Sequence, residues 1–577
     1  MSSARSTAGL LLGALLVAAF PGAAQTGGAA AGARAASTEL PLKLAPRPTT
    51  PAITAADLMT RLYIFADDSM MGRQVGTEYN LKGTAYIERE VRRLGLVPAG
   101  TDGYFQNLPL YTYTTDSASV VRFAGQTLVR GTDYLPYPQA EKQLALDAVP
   151  VVLGGNLADS MTWISADAAA GKLVVLTVPT TTNALRAVPG MSRFGRAAAV
   201  LIASLDRVPP NYRGYIAKHT ALTTDDTPAA GAPTIFVTRR VAGLPFGAAT
   251  ADAVAPGTTG MSFQGSLILH QSQAPGRNVV AILRGSDPVL RNEYVAIGAH
   301  NDHIGFNHTP ADHDSVRAFD MVVRVQGADS PRPSTLTAEQ TARIRAITDS
   351  LHALHGVRLD SINNGADDDG SGSVSVLEIA EALAAAPVKP KRSILFVWHT
   401  GEEAGLWGSQ YFTDHPTVAR DSIVAQLNMD MVGRGATSDV TGELKEGGLA
   451  HGGAGYVQLI GSRRLSTELG DLIESVNRSS KLGLSFDYSQ DANGHPQNIY
   501  CRSDHYEYAR YGIPIVFVTT GGHSDYHQVT DEPQYIDYGR MAQVATLVRD
   551  AAVAVANLDH RIAVDKPKPD PKGRCVQ

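Results

Sequence analysis

Four short runs dense in β-branched residues, EYVAIGA, SILFVW, IVAQLNM and IPIVFVT, recur through the second half of the chain with helical stretches between them. β-Branched side chains suit a pleated strand. Runs with no polar alternation suit strands buried on both faces, and strands separated by helices suit a mostly parallel sheet. The expected class is α/β: a parallel or mixed central sheet flanked by helices.

In open sheets of this kind ligands bind beyond the carboxyl ends of the strands. His300 follows EYVAIGA, Glu402 and Glu403 follow SILFVWHTG, Asp430 follows IVAQLNM, and His527 lies beyond IPIVFVTTGGHSDY. Asp368, in NGADDDGSG, precedes the helical SVSVLEIAEALAAA. Adjacent glutamates normally splay into water, unless multivalent cations offset their repulsion. Zinc accepts imidazole nitrogen and carboxylate oxygen, and two ions about 3.5–4 Å apart need a bridging carboxylate. Each motif alone has a plain structural explanation. A lone histidine is usually a satisfied one, and three aspartates before a helix can cap it and favour its dipole. Their joint occurrence at strand exits points instead to a metal site. No HExxH pattern and no GxSxG elbow offers another hydrolase chemistry. With two cysteines, Cys501 and Cys575, a thiolate zinc site is excluded, while a disulfide remains chemically allowed.

A chain of 577 residues exceeds one ordinary domain. Residues 1–24 combine one arginine, an apolar stretch and a small-residue exit, and are expected to direct export to the periplasm or medium. Residues 25–52 read as a linker, and 53–110 as helical. Residues 111–270 carry short β-rich runs and read as an inserted domain. The sheet-forming segment is expected over 271–560, with a helical insertion at about 306–362. The tail, 561–577, is expected to be solvated. No further stretch reaches membrane length. A net charge of −6 without dense basic runs excludes nucleic acid as a partner.

The motifs GAHNDHIG, NGADDDGSG, GEEAGLWGS, LNMDMVGR and SDYHQVTDEP resemble, in order, those of the M28 family of co-catalytic zinc peptidases. The resemblance implies a peptidase domain in two parts, 53–110 and 271–560, and the 111–270 section between them is similar to the protease-associated (PA) domain that many members carry. The resemblance implies two Zn2+ per chain, with His300 and Asp430 on one ion, Glu403 and His527 on the other, and Asp368 bridging. It implies Glu402 as general base, Asp302 orienting the His300 imidazole, and Tyr526 donating to the developing oxyanion. It also suggests Arg502 as a substrate contact. His523 rivals His527, and the YHQVTDE context favours His527. The implied activity is hydrolysis of peptide bonds at a free N-terminus, an aminopeptidase acting on peptides or proteins. A zinc carboxypeptidase, a glutaminyl cyclase and a non-catalytic PA-domain binding protein are the alternatives. The long stretch between His303 and Asn363 departs from the family pattern.

Overall fold

Parallel pairing organises the centre of the protein, whose computed structural model describes residues 40–182, 191–225 and 231–577. The expected export leader, 1–24, lies outside the described residues. Strands β1 (Arg277–Leu283), β2 (Tyr294–His300), β3 (Ser393–His399), β4 (Ile423–Met429), β5 (Tyr456–Ile460) and β6 (Ile515–Thr519) form the body of a nine-stranded sheet. β3, β2, β4 and β6 lie side by side and run parallel. β1 joins β3 antiparallel, and β5 joins β6 antiparallel. Successive side chains on a strand face opposite ways. Leu395 and Val397 of β3 pack into a cluster with Phe412 and Tyr508, while Ile394, Phe396 and Trp398 are fully buried on the other side. Burial of both faces explains the missing polar alternation, and each such side chain contributes about 1.5–3 kcal/mol.

Helices α1 (Ala55–Phe65) and α2 (Glu78–Arg93) lie within the 53–110 stretch read as helical. The His303–Asn363 stretch holds two helices, α3 (His313–Val322) and α4 (Ala338–His355), between antiparallel strands Phe306–Asp312 and Leu359–Ile362. Helices α5 (Gly372–Ala385) and α6 (Tyr538–Asn557) pack on the sheet beside β2 and β4. Arg61 of α1, almost fully buried, donates to Glu378 on α5 at 2.8 Å and to Glu90 on α2 at 3.0 Å, and also reaches Glu381. Desolvation offsets much of the attraction in such a network, so it ties α1 to α2 and α5 with little net gain in stability.

Between Leu110 and Ala274 the chain builds two further six-stranded sheets. One stacks parallel strands Val151–Asn156, Leu173–Thr177, Ala199–Ala203 and Thr234–Val237. Residues Pro41–Gln577 form one compact unit. Among the described residues, no helix is long and apolar enough to cross a membrane.

One stretch read as a linker and one read as solvated are held in place. Thr49 and Thr50 of the expected linker hydrogen-bond Glu381 and Asp57, both at 2.6 Å. The tail is mostly exposed, but Cys575 forms a disulfide with Cys501, and buried Gln577 accepts from the Tyr500 amide at 2.9 Å. Except for Thr50 with Asp57, these anchors join residues far apart in sequence, so local composition carries no trace of them.

Candidate metal centre

Parallel orientation sends the carboxyl ends of β2, β3, β4 and β6 to a single rim. His300 ends β2, Glu402 and Glu403 follow β3, Asp430 follows β4, and the loop after β6 carries Tyr526 and His527. The Ala366–Ser371 turn before α5 brings Asp368 to the same place.

The three consecutive aspartates divide their work. Asp367 Oδ1 accepts from Gly433 N at 2.7 Å. Asp369 accepts from His300 N at 3.1 Å and from Gly372 N, in the first turn of α5, at 2.7 Å. The flanking pair thus ties the turn to its neighbours, including the helix contact expected of capping residues. Asp368 faces the rim: its Oδ1 is 3.1 Å from His300 Nε2 and its Oδ2 is 2.9 Å from His527 Nε2. On one side, His300 Nε2 is 3.7 Å from Asp430 and 3.9 Å from Glu402. On the other, His527 Nε2 is 2.9 Å from Glu403 Oε2. Two donor sets result, His300 with Glu402 and Asp430, and His303 with Asp368, Glu403 and His527, each with ligand atoms within 4.8 Å of one another.

His300 Nε2, His527 Nε2 and Asp368 Oδ2 are buried and lack a hydrogen-bond partner despite these approaches. Buried polar atoms that converge without hydrogen-bond geometry are costly unless a cation satisfies them. The donors are imidazole nitrogen and carboxylate oxygen, the set zinc takes. The residues therefore fit zinc.

Neighbouring groups hold the donors. Ser503 Oγ donates to Asp430 Oδ2 at 2.7 Å and accepts from Asn428 at 3.1 Å. His303 Nδ1 lies 2.7 Å from Glu403 Oε1. Asp302 Oδ1 accepts from Glu402 N at 3.1 Å; His300 Nδ1 lies 3.2 Å from the Asp302 carbonyl and 3.7 Å from its carboxylate. Asp302 therefore meets the imidazole mainly through its backbone. Arg73, fully buried, donates to the carbonyls of Asn301, Asn364 and Gly365, bracing the turns that carry His300 and Asp368. His527 adopts a left-handed backbone, φ 55°, in the turn that brings its imidazole to Asp368. His523 is buried elsewhere, its Nε2 3.3 Å from Asp367, so it does not compete for the rim.

Sequence reading missed His303, Ser503 and Arg73. The HNDH and CRSDH strings place the first two beside expected residues, whereas Arg73 offered no local signal.

Glu402 and Glu403 differ electrostatically. Burial, together with Asp430 and Glu403 nearby, pushes Glu402 well above the usual carboxylate range, against the pull of His300. Burial and Asp368 also oppose ionisation of Glu403, but His527 and His303 prevail and hold it at about 2. Carboxylates whose environments separate them in this way suit proton transfer and ligation respectively.

Glu402, Glu403, Asp368, Arg502 and Tyr526 border a cleft of about 690 Å3. Glu403 also borders a groove of about 1460 Å3 lined by Tyr215, Lys218 and Trp407. The Arg502 guanidinium is engaged by Asp329 at 2.9 and 3.2 Å.

Residues 278–552 match the family model for Peptidase family M28. This segment belongs to peptidase family M28. The M28 segment contains His300, Asp368, Glu402, Glu403, Asp430 and His527. Over 81 residues the chain is 42% identical to leupeptin-inactivating enzyme 1 of Streptomyces exfoliatus, covering 14% of this chain and 18% of that protein. Over 217 residues it is 30% identical to a probable leucine aminopeptidase of Arthroderma benhamiae, covering 35% of this chain and 53% of that one. The chain thus spans from 18% to 53% of the length of these curated relatives. A solved structure of BSAP, a zinc aminopeptidase from Bacillus subtilis, aligns with 91% of this chain and 100% of its own at 16% identity and TM-score 0.45.

Proposed function

We propose that this protein is an exported dizinc aminopeptidase. The observation that carries the reading is the Asp368 carboxylate, with one oxygen beside His300 and the other beside His527. In this reading His300 and Asp430 would hold one zinc and Glu403 and His527 the other, with Asp368 shared between them, and His303 orients Glu403. Bound zinc supplies Lewis acidity. Glu402, pushed up by burial, takes a proton from the attacking water and passes one to the departing amine. Tyr526 donates to the carbonyl oxygen as charge develops there.

An acidic rim favours a substrate's free amino group. Arg502, engaged by Asp329, is not free to grip a terminal carboxylate, which favours the aminopeptidase over a carboxypeptidase. The 690 Å3 cleft then receives the N-terminal side chain, and the 1460 Å3 groove receives the rest of the peptide. The names of the curated leucine aminopeptidases agree with this assignment. We read the 111–270 section as a PA-type domain, and the leader-like N-terminus supports export.

The test is zinc content together with cleavage of an aminoacyl-anilide panel, with and without chelator, for the parent and Glu402→Ala. Two zincs per chain, chelator-sensitive cleavage and loss of rate in the variant are expected. About one zinc would favour a glutaminyl cyclase, and none a binding protein. Amino-blocked peptides cut as readily as free ones would exclude the aminopeptidase.

A further inference from the structure

The stretch between His303 and Asn363 is long, lies outside the donor set, and yet clamps the loop that carries Tyr526 and His527. Arg317 of α3 donates to Asp525 Oδ2 at 2.7 Å, and Arg358, after α4, forms a two-pronged pair with Glu532 at 2.6 and 2.7 Å. Between these anchors the Ala328 amide donates to the Tyr526 carbonyl at 3.0 Å. Gly327 has φ 54°, and a Cβ there would lie 2.4 Å from that carbonyl oxygen, so only glycine allows this approach. Two residues on, Asp329 takes both prongs of Arg502, whose Nη2 lies 3.4 Å from the Tyr526 hydroxyl. Gln326 lines the same cleft and accepts from Gln497 at 3.4 Å. The Tyr526 ring stacks on His527 with centroids 4.0 Å apart.

We propose that Asp329 is a positioning residue: it fixes the Arg502 guanidinium, and Arg502 in turn holds the Tyr526 hydroxyl where the substrate carbonyl will lie. The forked carboxylate–guanidinium geometry makes this a directional brace. A freed arginine would swing on its flexible stem and leave the phenol able to rotate away from the cleft. Small misplacements of catalytic groups are costly in rate while leaving substrate affinity nearly unchanged. The His303–Asn363 excursion thereby becomes a structural part of the site, and Arg502 acts on the reaction through tyrosine. The proposal rests on the reading of Tyr526 as a donor to the carbonyl oxygen.

The experiment measures kcat and KM for the parent, Asp329→Asn, Arg502→Lys, Tyr526→Phe and the Asp329→Asn/Tyr526→Phe double variant, all zinc-loaded. Thermal unfolding of each is followed in parallel. Asp329→Asn is expected to lower kcat about tenfold with KM within about twofold and an unchanged unfolding midpoint, since the Asp329–Arg502 pair is partly exposed. Arg502→Lys, which keeps the charge and loses the fork, should reproduce that split. In the Tyr526→Phe background Asp329→Asn should cost nothing further, the coupling expected of residues acting as a unit. Full kcat in Asp329→Asn, or an equal loss with and without the tyrosine hydroxyl, overturns the proposal. So does a rate loss that tracks a lowered unfolding midpoint in both Asp329→Asn and Arg502→Lys. A Tyr526→Phe variant as fast as the parent instead removes the donor role of Tyr526, and the two failures are thereby distinguished.

Discussion

Asp368 presents Oδ1 to His300 Nε2 at 3.1 Å and keeps Oδ2 for the opposite half of the site, beside His527 and His303. Asp368 belongs to the set with His303, Glu403 and His527 and also reaches His300 of the other, so its loss should differ in kind from the loss of a one-sided donor. Asp368→Ala is expected to empty both positions and abolish cleavage, whereas Asp430→Ala should retain about one zinc per chain. Metal analysis after gel filtration, before and after chelation and zinc return, checks this difference.

The adjacent glutamates should separate by function. Glu402→Gln keeps the shape and loses the proton acceptor, so kcat should fall about 10²–10⁴-fold with zinc content unchanged. Glu403→Gln should lose zinc instead, because Glu403 is the carboxylate that His303 and His527 hold ionised. Parallel zinc and rate measurements on the two variants decide the matter.

Ser503 orients Asp430 through a 2.7 Å hydrogen bond. Ser503→Ala should weaken zinc binding about 10–100-fold, the usual effect of removing a ligand's supporting partner. Competition with a chromogenic chelator measures it, and wild-type affinity would show that Asp430 needs no support.

The Cys501–Cys575 disulfide closes a loop with a sequence separation of 74. A bridge over such a loop limits the unfolded chain's freedom by about 4 kcal/mol. Cys575→Ser should therefore lower the denaturant midpoint, and a reducing agent should lower the parent to match it. The tail would then be released from its anchor on Cys501.

His219 is buried among Tyr113, Tyr137 and Tyr215, with its Nδ1 unsatisfied, and burial pushes its imidazole down to about 4. The unfolded chain takes this proton near pH 6.5, whereas the folded protein refuses it until about pH 4. The contribution of His219 to stability is therefore complete above about pH 6.5 and is lost as pH falls through about 4. His219→Phe should flatten that part of the stability profile. Unfolding midpoints of parent and variant at pH 7 and pH 4.5 test it, and equal slopes would show that His219 does not report on acid.

Much of the architecture was legible because strand runs such as SILFVW must be buried on both faces, and that burial imposes the parallel sheet with its rim. Once the rim was placed, the residues just beyond it were identifiable as neighbours despite wide separation in sequence. His303, Ser503 and Arg73 were less visible. Each acts through hydrogen bonds to partners whose positions depend on the assembled fold, and none leaves a periodic or compositional mark. The anchored tail and the docked Thr49–Thr50 stretch escaped notice for the same reason.

Residue chemistry along the chain determined which side chains could bind a divalent cation and in what order the strands would deliver them. Tertiary structure alone decided which oxygen of Asp368 meets which imidazole, that Arg502 is spoken for by Asp329, and that the His303–Asn363 excursion grips the Tyr526 loop. Those outcomes depend on angles and distances of a few ångströms between segments that meet only after the sheet has closed around its core, and no local pattern encodes them.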